Sequence, residues 1–350
     1  MSDADREAPR ALSRRERVLR PRRHEALWDR IDHNRLKTAV FIVAFVLGLG
    51  VSSALFVGVI GVFLGFVLVP QSGTVTFFGA LPWIVLVALG AGAAAGCIHV
   101  LRSLSDPHRR LPRLFGARLS DVGTLLPTKS ALHDMAIAAG MEHAPPLWLI
   151  DDERVNAFVV GMRTQDAVVG VTRGMTERVP TDEQRAVFAN LMARLRSGDV
   201  LWSTAVSAVM GPIWQARTAQ LRKQEEPDDD TGLGWLAGSP VARDAAWHGP
   251  VIVIGALTVV ITELLMAGHE RAALMASEKA DAEGMLLLKD PCSMLEALTR
   301  VLEADNTVTG ADEAYSMLFY CWSGFGYAPE DDPEMARIER LREVLGAAGA

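Results

Sequence analysis

The segment TDEQRAVFANLMARLRSGD, residues 181–199, decides the fold of this chain. Thr181 is a good N-cap, and acidic residues follow it in the first turn, where the helix dipole favours them. This pattern predicts a helix that runs to about Arg196 and ends at Gly198-Asp199. Its centre is Asn190-Leu191-Met192-Ala193-Arg194, in which positions 190 and 194 lie on one face of the helix.

Short apolar runs upstream of this helix predict a small sheet. They are residues 147–150, 156–161 and 167–172, each of a length typical of strands. An earlier helix is predicted for residues 130–139, because its apolar residues have helical spacing and Pro145-Pro146 stops it. The soluble part of the chain is therefore predicted to combine helices with a few strands.

No Asp, Glu, Lys or Arg occurs between Thr38 and Leu101, and no ordinary soluble domain has such a stretch. A membrane span needs about 20 apolar residues. The stretch therefore holds two spans, residues 38–69 and 81–101, with a turn-like break at 70–74. Glycine pairs at small-xxx-small spacing predict close packing of the two spans: Gly61 with Gly65, and Gly92 with Gly96.

Arginine is frequent in residues 1–37 and again after the second span, whereas the connection between the spans carries no charge. Because Lys and Arg mark cytoplasmic segments, the N-terminus and the soluble domain are both predicted to be cytoplasmic, in a multi-pass protein of the cell membrane. The basic tail also suits anionic membrane lipid, but interspersed acids argue against nucleic acid as a partner. The arginines after the second span are Arg102, Arg109, Arg110, Arg113 and Arg118.

Two further apolar runs occur in the second half of the chain. Residues 200–213 are short for a span and contain Gly211-Pro212, so a short span, a re-entrant segment and a buried helix all stay open. Residues 250–267 are a better span and carry Glu263 near their end, where the carboxylate can reach the interface. The polar residues 217–244 predict a solvated loop. The three cysteines are scattered, which indicates neither a disulfide framework nor a metal site.

Four segments follow one another in a recognisable order: Asn156-Ala157-Phe158-Val159-Val160-Gly161, Val169-Gly170-Val171-Thr172-Arg173-Gly174, Asp182-Glu183-Gln184-Arg185-Ala186-Val187-Phe188-Ala189 and Glu278-Lys279-Ala280-Asp281. Their order resembles the HtpX and CAAX-prenyl-protease type of membrane zinc metallopeptidase (metallopeptidase family forty-eight). That family has Asn-Ala-Phe-Ala-x-Gly, Val-x-Val-Thr-x-Gly, a helix containing His-Glu-x-x-His, and a later Glu-x-x-Ala-Asp. The resemblance implies an α+β fold: a mainly helical, zincin-like metallopeptidase domain with a small sheet, on a multi-span transmembrane helical bundle.

The resemblance also implies two zinc-binding histidines and a catalytic glutamate where this chain has Asn190, Leu191 and Arg194. Arg cannot bind a metal cation, and Leu cannot accept a proton. Glu278 is matched to the third ligand, with Asp281 beside it, and no two of the eight histidines have the i, i+4 spacing of a relocated site. We therefore expect no zinc and no peptidase activity, as in a pseudoprotease.

These substitutions lead to a hypothesis for what fills the site. We expect Arg194 to supply the charge that zinc supplies in the family, in an ion pair with Glu278. Asn190 would add a hydrogen bond, and Asp281 would share Arg194. The predicted edge for binding an extended peptide by strand addition consists of Asn156, Ala157, Phe158 and Gly161.

The predicted function is that of a catalytically inactive integral-membrane metallopeptidase homologue with a regulatory or peptide-binding role. Its expected partners are membrane lipid and either an extended peptide or a membrane-protein client. Two alternatives stay open: an active zinc metalloendopeptidase with an atypical site that includes Glu278, and a small transporter-like bundle with Glu263 as its polar element. The expected organisation is a basic tail at 1–37, a transmembrane hairpin at 38–102, two halves of the zincin-like domain at 103–199 and 269–350, and between them two apolar segments at 200–268 with a polar loop at 217–248.

Overall fold

The computed structural model describes residues 27–70, 73–120, 125–225, 276–311, 313–322 and 334–348. Within these residues the chain is mainly helical and contains one four-stranded sheet. The apolar run 250–267 with Glu263, most of the polar segment 217–244 and most of the basic tail lie outside the described residues.

Two long apolar helices, α1 (Leu27–Val67) and α2 (Thr74–Leu104), pack against each other as a hairpin. Each is long and apolar enough to cross a membrane, and most of its apolar side chains are exposed. The two predicted spans are therefore confirmed as apolar helices. Both helices begin earlier than the predicted spans. The mostly polar residues before residue 38 are already part of α1, and the residues from Thr74 onward are already part of α2.

Glycines bring the two helices of the hairpin together, as their spacing predicts. A Cβ atom at Gly92 would collide with the Ser53 side chain, and one at Gly61 would collide with Leu81. The missing side chains let the helix backbones approach, which favours van der Waals packing in apolar surroundings. A Cβ atom at Gly65 would likewise collide with Phe77 and Phe78, whereas one at Gly96 would lie 3.2 Å from the Val46 Cα atom.

The sheet contains β1 (Arg118–Leu119), β2 (Leu147–Ile150), β3 (Ala157–Val160) and β4 (Val168–Thr172), in the order β1-β2-β4-β3. β2 and β4 are parallel, and the other two pairs are antiparallel. The three predicted strands are thus confirmed. β3 and β4 are buried on both faces, which explains why they are continuous apolar runs without alternation.

One apolar core joins the sheet to four helices: α4 (Leu126–Ala138), α6 (Thr181–Arg196), α9 (Pro291–Glu303) and α10 (Met335–Ala348). α4 begins four residues earlier than predicted, because Pro127 suits the first turn of a helix. Three further helical elements complete this part: α3 (Pro107–Leu114), α5 (Arg173–Arg178) and α8 (residues 276–288).

A second core forms around α7 (Asp199–Glu225) and a short 3-10 helix (Glu313–Leu318). Most residues of 200–213 are buried in it, so the buried helix is the possibility that the structure favours for this run. The helix passes Pro212 and continues to Glu225. The predicted start of a loop at residue 217 is therefore wrong, because Gln, Ala, Arg and Lys beyond it are good helix formers.

Hydrogen bonds join the hairpin to the rest of the protein. Near the start of α1, the Asn34 amide donates to the Ser197 carbonyl (3.2 Å) and to the Asp199 carboxylate (2.8 Å). In α2, the His99 ring nitrogen Nε2 lies 2.9 Å from the Val209 carbonyl of α7. The end of α6 and the middle of α7 are thus held against the hairpin.

Candidate functional site

α6 runs through the middle of the first core, and nearly all its residues beyond the first turn are buried. Its first helical residue is Thr181, whereas Pro180 occupies the N-cap without a side-chain hydrogen bond. The prediction of Thr181 as the cap is therefore wrong by one position. The predicted end is confirmed, since Gly198 follows with φ of 77°, a left-handed conformation that suits glycine.

The face of α6 that carries Asn190 points toward α8. The Asn190 side chain is 1% exposed, and its Nδ2 donates to Oδ1 of Asp281 at 2.7 Å. Gly284, one turn beyond Asp281 in α8, has no side chain to separate the helices, and a Cβ there would lie 3.0 Å from the Asn190 backbone nitrogen. The sequence predicts that Asn190 adds a hydrogen bond to the Arg194–Glu278 pair, but its acceptor is Asp281.

Arg337 of α10 joins the same group of buried polar residues. Its guanidinium donates to both oxygens of Asp281, at 2.8 and 2.9 Å, and to Glu334 at 2.5 Å. It also donates to the Tyr320 carbonyl at 2.9 Å. Burial acts to lower the pKa of Arg337, but the carboxylates of Asp281 and Glu334 outweigh that effect and raise it. This fully buried cation is therefore matched by anions.

Arg194 lies one turn after Asn190 on the same face of α6 and is 3% exposed. Its Nη1 donates to the Phe319 carbonyl at 2.8 Å, and its Nη2 donates to the Met317 carbonyl. Burial lowers the pKa of Arg194 to about 10, an effect that more distant carboxylates, Asp199 first among them, only partly offset. Within the described residues, Arg194 Nε and Asn190 Oδ1 are buried without a hydrogen-bond partner.

The predicted Arg194–Glu278 ion pair does not occur among the ion pairs of the described residues. Glu278 accepts instead from Arg340 of α10, in a pair whose Glu278 side chain is 23% exposed and whose Arg340 side chain is 61% exposed. Asp281 is bound by Arg337 and Asn190 and is not shared with Arg194. The prediction is wrong because Glu278 lies beside the face of α8 that meets α6, and not on it.

Helix register also corrects the match of Glu278 to the third zinc ligand. In Glu-x-x-Ala-Asp, the glutamate stands four residues before the aspartate, and Ala280-Asp281 therefore place it at Ser277. The buried residues of α8 are Ser277, Ala280, Asp281 and Gly284, which form one helical face. Sequence reasoning missed Ser277, although the Ala-Asp pair could have fixed the register.

The residues at the family's zinc position do not fit a zinc ion. Positions 190, 191, 194 and 277 present an amide, an isobutyl group, a guanidinium and a hydroxyl, and none of these is the imidazole or carboxylate that zinc prefers. Asp281 has the right chemistry, but both its oxygens are bound by Arg337. Over the described ranges, no group of three or more His, Cys, Asp or Glu residues could hold a metal ion.

The predicted peptide-binding edge of β3 is covered by the chain itself. Phe158 forms a β-bridge with Phe319, and the Tyr320 N–H donates to the Ala157 carbonyl at 2.8 Å. The buried Asn156 amide donates to the carbonyls of Asn306 (2.7 Å) and Cys321 (2.6 Å), and the Gly161 N–H donates to Thr204 Oγ1 (3.1 Å). The prediction of an open edge is therefore wrong, because residues 319–321 lie along it and are joined to β3 by a β-bridge and backbone hydrogen bonds.

The same short segment is held by an arginine on each side. Arg194 holds the carbonyls of Met317 and Phe319, and Arg337 holds the carbonyl of Tyr320. We call residues 317–321 together with Asn190, Arg194, Asp281 and Arg337 the closed cleft. The side chains of the closed cleft bind one another and the backbone of residues 317–321. At Ala157 and Phe158, the edge of β3 is paired with Tyr320 and Phe319.

The apolar hairpin, the small mixed sheet and the helix that bears the motif positions define a membrane-associated protein of metallopeptidase type. Residues 127–344 match the model of Peptidase family M48, and the chain belongs to this family. The resemblance stated from the sequence is thereby confirmed.

Relatives of known name agree with this assignment. The chain is 27% identical over 220 residues to a protein named Protease HtpX homolog from Thermoanaerobacter pseudethanolicus, covering 61% of this chain and 70% of the relative. It is 24% identical over 325 residues to a Protease HtpX homolog from Streptococcus pneumoniae (strain Taiwan19F-14), covering 91% of this chain and all of the relative. No solved structure matches the chain.

Proposed function

We propose that this protein is a membrane-embedded M48 family member without peptidase activity, whose former metal site is held together by its own side chains. One observation carries this proposal: Arg194 places a buried guanidinium where the resemblance implies the second zinc-binding histidine. Next to it, Arg337, Asp281 and Asn190 form a hydrogen-bonded network that occupies the carboxylate of Asp281. A metal cation such as Zn²⁺ would be repelled by the guanidinium of Arg194, which is bound by carbonyls and not by a carboxylate.

The proposed role is regulatory, in a cytoplasmic domain next to the membrane. The cytoplasmic orientation is supported by the arginines that follow α2 and by the uncharged connection between the helices. Binding of an extended peptide at β3 would first require residues 319–321 to leave the edge. A partner is therefore expected to contact an outer surface of the domain unless it displaces residues 319–321.

The decisive test measures zinc content and proteolysis on the same full-length protein, purified in detergent. We expect far less than one zinc per chain by plasma mass spectrometry, and no cleavage of casein above a buffer control. One zinc per chain, together with casein cleavage that Glu278→Ala or Asp281→Asn abolishes, would overturn the proposal in favour of an active peptidase with an atypical site.

A matched variant shows whether the fold can still hold the metal. The variant restores the family residues at four positions: Asn190→His, Leu191→Glu, Arg194→His and Ser277→Glu. We expect it to retain zinc in the same measurement in which the wild type does not, since imidazoles at i and i+4 share a helix face. Zinc retained equally by both proteins would mean that the metal binds elsewhere and that the closed cleft is not what excludes it.

A further inference from the structure

The segment that leaves α2 carries an arginine surface which the closed cleft does not use. Residues 102–118 contain five arginines and one acidic residue, Asp106. All five arginines are exposed. Within the described part of the chain, Arg102, Arg109, Arg113 and Arg118 form no ion pair, and neither does Arg110. Their charge is therefore available to a partner.

α3 arranges three of these arginines on one side. Its buried residues are Pro107, Leu111 and Pro112, and Leu111 belongs to the second core. At 100° per residue, Arg109, Arg110 and Arg113 fall within a sector of about 100° on the opposite side of the helix. The helix is thus fixed on the protein by one face and presents guanidinium groups on the other.

A hydrogen bond holds this helix at the end of the hairpin. The Arg110 guanidinium donates to the carbonyl of Arg102 at 2.5 Å, in the last turn of α2. Arg102 directly follows Leu101, the last residue of the uncharged stretch, and Leu101 is 71% exposed. Leu114, the last residue of α3, is also exposed, at 43%. Arginines and exposed leucines therefore occur together where the chain leaves the apolar helix α2.

We propose that Arg102, Arg109, Arg110 and Arg113 form a binding surface for the headgroups of anionic phospholipids. The surface has the charge, the bidentate donors for phosphate and the neighbouring apolar side chains that this ligand class requires. An acidic protein or a nucleic acid would match the charge alone, whereas the position at the end of α2 brings lipid phosphates within reach. The lipid is bound on the same leaflet as the soluble domain.

The test uses the full-length chain in mixed micelles that contain equal amounts of phosphatidylglycerol and phosphatidylcholine. Because a micelle has no two sides, the arginines cannot act here by setting membrane topology. Lipid that remains with the purified protein is quantified by mass spectrometry. We expect phosphatidylglycerol to exceed phosphatidylcholine by about fivefold or more, since one arginine near an anionic surface already contributes about that factor.

Variants locate the effect on the surface. Arg109→Gln, Arg110→Gln and Arg113→Gln combined should lower the ratio at least severalfold, to a remainder set by Arg102 and the basic tail, and the matching Lys triple should keep most of the enrichment. The control replaces three other exposed arginines, Arg163, Arg178 and Arg342, by Gln and should keep the wild-type ratio. No enrichment in the wild type, or equal enrichment in the Gln triple, overturns the proposal and assigns the arginines to another partner or to topology.

Discussion

The two sides of the closed cleft bury an arginine each but treat its charge differently. On the α10 side, Arg337 meets two carboxylates, and these anions raise its pKa despite complete burial. On the α6 side, Arg194 meets only backbone carbonyls, and burial lowers its pKa to about 10. A buried ion pair loses several kcal/mol when one partner is removed. For a buried cation that is bound by carbonyls, the desolvation cost of the charge offsets the free energy that its hydrogen bonds contribute.

This difference separates two kinds of residue in the cleft. In this chain Arg337 stabilises Asp281, whose buried carboxylate needs a cation. Arg194 stands where the family resemblance places the second histidine, and a guanidinium cannot bind a metal cation. The proposed inactivity of the site should therefore depend on Arg194, and the stability of the site on Arg337.

The largest expected effect is that of Arg337→Met. It leaves the carboxylates of Asp281 and Glu334 buried without their cation, which costs about 3–5 kcal/mol of unfolding free energy. Thermal unfolding in detergent, followed by tryptophan fluorescence, measures the loss. Arg342→Met, on an exposed position of the same helix, is the control and should change stability by less than about 0.5 kcal/mol. If Arg337→Met does not fold, adding Asp281→Leu should recover folded protein by removing the uncompensated anion.

A smaller loss is expected for Arg194→Met. The carbonyls of Met317 and Phe319 lose their donors, at about 1–3 kcal/mol, but the desolvated charge is removed with them. The same unfolding measurement should therefore place this variant between wild type and Arg337→Met. A loss equal to that of Arg337→Met would break the comparison between the two sides of the cleft.

The pH dependence of that loss sharpens the comparison. The pKa of Arg194 is about 10 in the folded protein, below its ordinary value of 12.5, so above pH 10 the unfolded chain binds more protons than the folded one. The contribution of Arg194 to the free energy of unfolding therefore rises with pH in this range. The difference in unfolding temperature between wild type and Arg194→Met should be constant from about pH 7 to 9 and should widen in favour of wild type above about pH 10. A difference that narrows there contradicts the assignment.

Asn190→Leu is expected to cost less, about 1 kcal/mol. Asp281 loses the hydrogen bond from Nδ2 but keeps both bonds from Arg337, and the unpartnered Oδ1 of Asn190 disappears with the amide. Chemical denaturation of the two proteins side by side measures the change. A loss as large as that of Arg337→Met would show that the amide, and not the guanidinium, organises Asp281.

The smallest effect is expected for Glu278→Gln. Its pair with Arg340 is partly exposed, and such pairs contribute about 0–1 kcal/mol. Neither unfolding temperature nor zinc content should change measurably. Asp281→Asn is the matched comparison three residues further along α8 and should be clearly destabilising. Equal effects of the two substitutions would return Glu278 to the cleft.

The sequence predicted the elements better than it predicted their contacts. The strands at 147–150 and 168–172 and the helix at 181–196 have local signals in apolar runs, acidic first turns and Gly198, and these signals do not depend on the rest of the fold. The missing imidazoles could likewise be read from positions 190 and 194. The partners of Arg194 could not, because the carbonyls that it binds belong to residues more than 120 positions away and carry no side-chain signature.

The occupied edge of β3 was unpredictable for the same reason. The segment 319–321 is short, and its pairing with Ala157 and Phe158 uses backbone groups that every sequence possesses. The error at Glu278 had a different origin, since the spacing to Asp281 was available and places Ser277 on the buried face of α8. Register arguments within one helix are therefore more dependable than matching a residue by type.

The junction at Asn34 has a practical consequence for biochemistry on this protein. A fragment that starts after Leu104 would lack the apolar hairpin, and it would also lack the amide that the Ser197 carbonyl and the Asp199 carboxylate accept from. The end of α6 would then contact solvent at the place where, in the intact chain, it contacts α1. Binding or stability data from such a truncated form would describe a loosened α6–α7 corner, so quantitative work belongs on the intact chain in a bilayer or a detergent that preserves the hairpin.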